Sequence, residues 1–149
     1  MFKKALATTV VLMALTSTSV IADEKKVLID LTNTAFSYEE SKAAVKNYGL
    51  TSANASDENG KFAVNYYYDL KEALAFAEKE LGEEITNEEF IGLIVNQQGL
   101  AYCANGLPGK VQKFGFEKGV LFQFFLNDGT PMSAFNLNNE ACEIISAAQ

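Results

Sequence analysis

Histidine, arginine and tryptophan are absent from this chain, which has only two cysteines and two prolines. Each absence removes a class of chemistry. Without histidine there is no Ser-His-Asp or Cys-His machinery and no imidazole-ligated zinc. Without arginine there is no planar fork to read guanine, and a surplus of carboxylates repels both a phosphate backbone and an anionic membrane surface. Nucleic acid is therefore not an expected partner. Repeats, a phosphate-binding glycine loop and any recognisable catalytic motif are missing too, so neither cofactor nor metal is expected. Carboxylate, tyrosine, lysine and hydroxyl chemistry remain.

Long apolar runs are confined to the start. Lys3 and Lys4 precede an apolar stretch from Ala5 to Leu15 and a small-residue exit at Val20-Ile21-Ala22, the pattern of a cleavable export signal. Threonines and serines interrupt the stretch at Thr8, Thr9 and Thr16 to Ser19, and its dense apolar part, Val10 to Leu15, is far shorter than the roughly 20 residues that span a bilayer. Cleavage is expected after Ala22, giving residues 1–22 as signal and 23–149 as one domain of ordinary size, without a membrane span, in the periplasm or secreted. Removing Lys3 and Lys4 leaves ten of the twelve lysines against nineteen acidic residues, a formal charge of −9.

An oxidising compartment makes a pair of cysteines a disulfide. Cys103 and Cys142 lie far apart with no CxxC spacing, which favours a structural bridge over a redox or metal site. The segment between them contains the run Val120–Leu126 and a turn at Asn127-Asp128-Gly129. The expectation is an antiparallel sheet closed by the bridge, with Cys142 clipping it to a loop at Cys103.

Periodicity sets the remaining elements. Lys25–Thr32 alternates as a half-buried strand, and Ser37–Glu40 offers a capping box for a helix to Tyr48. Residues 51–60 are small and polar and read as an exposed loop. Asp57, Glu58 and Asn59 do not make it a calcium loop, because aligning Gly60 with the invariant glycine puts Ala55 where a carboxylate is required. Lys61–Tyr68 alternates as a strand with Tyr66 and Tyr68 inward and Tyr67 covering the other face. Helices should follow Asp69, ending at Gly82, and Thr86, fading at Gly99. Gly99–Gly109 reads as a loop. Strands should hold Phe114 and Phe116, then Val120–Leu126, then Met132–Leu137 after an Asp128-Gly129 hairpin, with Pro131 marking an edge. The sum is an α+β fold of about five antiparallel strands and about three helices, closed by one disulfide.

Function is read from what survives exclusion. The leading expectation is an exported acidic binding protein, an inhibitor or immunity-type partner of a basic exported protein, whose carboxylates speed the encounter. Candidate contact residues are Glu83, Glu84, Glu88 and Glu89, then Tyr67. The competing reading of this acidic run is a solvated turn, with Glu88 and Glu89 favouring a helix N-terminus. Alternatives are an envelope subunit that uses the doubly apolar strand Phe122–Leu126, and a small-ligand carrier lined by Tyr66, Tyr68 and Phe124. A carboxylate-pair enzyme is the weakest reading, since no spacing selects a pair.

Overall fold

The structure is a computed structural model that describes residues 23–37 and 49–148. The export signal and most of the helix expected up to Tyr48 lie outside the described residues. Helix α1 spans Glu24–Ser37, where the alternation of Lys25–Thr32 indicated a strand. The same residues satisfy both periods. Leu28 and Thr32 fall four apart and are fully buried, with Phe36 one turn further on. Thr32 completes the turn by donating its hydroxyl to the Leu28 carbonyl at 2.8 Å.

Strands β1 (Leu50–Glu58) and β2 (Lys61–Tyr68) form an antiparallel hairpin. β1 occupies the stretch expected as a loop. Its residues have weak strand propensity, but the turn fixes the pairing. Asn59 and Gly60 both have positive φ, 55° and 84°, which matches the right-handed twist of a two-residue hairpin. The Gly60 N–H donates to Asp57 Oδ1 at 2.7 Å, so the carboxylate considered for calcium holds the turn. Helix α2 (Leu70–Leu81) starts at Asp69, whose side chain accepts from the Glu72 N–H, and stops at Gly82 in the left-handed region.

Helix α3 (Asn87–Ala104) runs through Gly99. A Cβ at Gly99 would meet only Ile145, at an ordinary contact distance of 3.5 Å, so the packing does not demand a glycine here, and this glycine does not end α3. Cys103 is thus helical, not in a loop. Helix α4 (Leu107–Gln112) replaces the rest of that loop. No strand forms at Phe114 and Phe116. Phe116 turns inward instead and packs on Phe62 with ring centroids 5.3 Å apart. β3 (Val120–Leu126) and β4 (Pro131–Leu137) form the second hairpin, and helix α5 (Asn139–Ala147) follows on an Asn138 cap.

The sheet order is β1-β2-β3-β4, with antiparallel outer pairs and a parallel central pair. The expectation of a purely antiparallel sheet is corrected at that seam. β2 is followed by α2, α3 and α4, a crossover that delivers β3 in the same direction. Near-continuous burial from Phe62 to Tyr66 reflects this central position. The class is α+β, with four strands and five helices among the described residues.

Cys103 and Cys142 are bonded across 39 positions, with Cα atoms 5.3 Å apart. The bridge joins the end of α3 to the start of α5, so it fastens helix to helix and does not tie the sheet to a loop. The loop it closes still contains the β3–β4 hairpin.

The two sheet faces differ. One carries Phe62, Val64, Tyr66 and Tyr68 beside Val120, Phe122 and Phe124, all buried. Tyr102 of α3 stacks on Phe122 at 4.5 Å, Phe90 of α3 meets Tyr68 edge-on at 5.9 Å, and Phe36 of α1 meets Tyr66 at 6.3 Å. This is the core. The opposite face carries Asn54, Ala63, Asn65, Tyr67, Leu121, Gln123 and Phe125, with Tyr67 stacked on Phe125 at 5.2 Å.

Candidate functional site

The acidic run sits at the corner between α2 and α3. Gly82 turns the chain at φ 78°, residues 83–85 cross the corner, and Thr86 caps α3. Thr86 and Glu89 form a capping box. The Thr86 N–H and hydroxyl donate to Glu89 Oε2 at 2.7 and 2.9 Å, while the Glu89 N–H donates to Thr86 Oγ1 at 3.2 Å. The backbone bond from Thr86, then its hydroxyl, hold the Glu89 carboxyl below the usual carboxylate range. Glu89 is therefore spent in large part on starting the helix. Glu83, Glu84 and Glu88 are exposed.

The corner encloses a groove of about 400 Å³. Leu81, Ile85 and Leu93 form the apolar part of its lining, and Glu83, Glu89 and Asn96 the polar part. Leu81 stands at helical spacing from Leu74 and Ala77 of α2, yet it is 37% exposed and faces this groove. Gly92 also lines it, and a Cβ there would meet nothing within 4 Å. A missing side chain on the outer face of α3 gives the groove part of its depth.

Two of the five candidate contact residues, Glu83 and Glu89, thus share one concavity. Glu84 and Glu88 are on the same corner but outside its lining. Tyr67 is elsewhere, half-buried on the second sheet face against Phe125. The groove residues that periodicity did not single out are Ile85, Gly92 and Leu93. Their signal was present, since Phe90, Ile91, Leu93, Ile94 and Val95 surround α3 with apolar residues, more than one core-facing stripe can absorb.

The residues considered for a small-ligand pocket are core. Tyr66, Tyr68 and Phe124 are 0%, 5% and 1% exposed and pack on one another, with Tyr66 and Phe124 rings 5.6 Å apart. Burial first, then the neighbouring Tyr102, pushes the phenols of Tyr66 and Tyr68 well above the ordinary range, so both are neutral core groups.

Among the described residues no helix is long and apolar enough to cross a membrane, and no group of His, Cys, Asp or Glu has the placement to hold a metal ion. Architecture and surface together define an α+β domain with one interhelical disulfide and a groove lined by both apolar residues and carboxylates. No family model matches the chain, and neither does any curated protein or solved structure.

Proposed function

We propose that this chain is an exported protein-binding domain that captures a basic partner protein at the α2–α3 corner. The observation that carries the reading is one groove lined by both apolar side chains and carboxylates, with further exposed carboxylates on the same corner. Charge alone would hold any cation loosely, and an apolar groove alone would hold any hydrophobe. Together, Leu81, Ile85 and Leu93 fit an apolar anchor, while Glu83, Glu84 and Glu88 fit lysines or arginines flanking it. The occupant is a basic amphipathic segment. Export is supported by the disulfide and by the leader pattern of residues 1–22.

The test is affinity capture of basic exported proteins at low and high ionic strength, run in parallel with a Glu83→Lys, Glu84→Lys double variant. Retention should fall at high salt and be lost in the double variant. A partner held equally well by both proteins at both salt concentrations overturns the proposal.

A further inference from the structure

We propose that the groove at the α2–α3 corner also seats a second copy of this chain, through the lysine-bearing segment of residues 110–118. The inference rests on the reading of that groove given above and names one occupant for it.

Charge is laid out along the chain in two blocks. Residues 78–89 carry six glutamates against one lysine, whereas residues 110–118 carry Lys110, Lys113 and Lys118 against Glu117 alone. The residues between them, 90–109, bear no charge. Most of that gap is α3, whose 18 residues make a rod about 27 Å long with carboxylates at its N-terminal end and lysines beyond its C-terminal end. None of residues 110–118 lines the groove, so a copy does not seat its own segment.

The segment has the character the groove fits. Phe114 stands between Lys113 and Lys118 and is only half-buried, while Lys110, Lys113 and Lys118 are exposed. Lys118 lies against the β1–β2 turn, where a Cβ at Gly60 would meet its Cδ at 3.6 Å. Among the described residues the ion pairs are Lys25–Asp57 and Lys26–Asp30, so no carboxylate neutralises these three lysines. Phe114 is then the apolar anchor for Leu81, Ile85 and Leu93, and the lysines face Glu83, Glu84 and Glu88.

Two acidic copies repel as wholes, yet screening makes the contact local. At about 0.1 M salt the Debye length is about 10 Å, well short of α3, so approaching copies feel the facing patches more than the total charge. A contact between unlike surfaces leaves a groove vacant at one end and a lysine segment at the other. Copies therefore add head to tail and do not stop at a closed pair.

The experiment is analytical ultracentrifugation of the purified protein over a range of concentrations at about 0.1 M and about 1 M salt. The expected result is dimers and longer species at the lower salt, with a dissociation constant about tenfold or more higher at the upper. Glu83→Lys with Glu84→Lys, and separately Lys110→Glu with Lys113→Glu, should each give monomers. Mixed together the two should associate, because the first keeps its lysines and the second its carboxylates. Glu140→Lys with Glu143→Lys, on α5, changes the net charge as much as the first pair and should leave association unchanged. All six positions are exposed, so the variants test the surface and not the core. A wild type that stays monomeric at the lower salt overturns the proposal. So does association that survives either patch variant, that the mixture does not restore, or that the α5 variant abolishes. Capture of a foreign basic protein without self-association sinks this inference alone, and self-association without such capture sinks the foreign partner alone.

Discussion

Tyr66 and Tyr102 share a hydrogen bond at 2.7 Å between hydroxyls that are cut off from water. An aromatic core without tryptophan carries its polar atoms this way, each phenol answering another. The consequence is a stability that depends on alkaline pH. The folded pKa values of Tyr66 and Tyr68 are raised by burial, whereas in the unfolded chain both phenols ionise near pH about 10. Their contribution is complete below that pH and is lost as pH rises above it, because only the unfolded state gains from ionisation. Alkaline titration followed by phenolate absorbance and circular dichroism should show these phenols ionising only as the fold is lost. Tyr66→Phe should cost about 1 kcal/mol in urea unfolding by deleting the shared bond. Gly92 belongs to the same scale with the opposite sign. A Cβ there has free space and the residue is helical, so Gly92→Ala should stabilise α3 by up to about 1 kcal/mol and raise Tm. The same methyl group narrows the groove, and capture of a basic partner should weaken as stability improves.

At the scale of elements, β1 is an edge strand made of residues that favour strands poorly, and α1 guards it. Asn33 of α1 acts as a substitute strand, donating Nδ2 to the Ala55 carbonyl at 3.0 Å and accepting the Ala55 N–H at Oδ1. Capping an edge from the side in this way blocks pairing with foreign strands. Asn33→Ala should cost about 1–3 kcal/mol by stripping partners from a backbone donor and acceptor. Light scattering after mild heating should show the variant aggregating earlier than the wild type. These elements also explain what the sequence could convey. β2, α2, β3 and β4 were legible because their apolar spacing fits one period only and their turns carry Gly82 and Asp128-Gly129. α1 was misread because eight residues satisfied two periods, and β1 because tertiary pairing overrode its propensity. The α3–α4 region is not legible because a glycine inside a helix and one that ends it look alike in sequence, and Gly99 lies inside α3. In the candidate site the acidic residues were legible from charge alone. The groove between them was not, since it depends on Leu81 turning outward at the corner.

For the whole molecule, the disulfide decides how its C-terminal helix is held. α5 has no buried residue, and its attachment rests on contacts with α3 and on the Cys103–Cys142 bond. In the chain-entropy account a closed loop of this length stabilises the fold by roughly 4 kcal/mol. Denaturant unfolding with and without reductant should reveal a loss of roughly 2–4 kcal/mol, and amide exchange should speed up first in α5.

The parallel seam between β2 and β3 also governs the order of assembly. The β1–β2 hairpin can close as soon as its turn is made, whereas Val120–Leu126 joins it only after the intervening helices have been threaded and settled. In that interval the newly emerged chain presents Phe62, Tyr66 and Tyr68 along an unclaimed strand, the kind of sticky ribbon that holdase chaperones shelter.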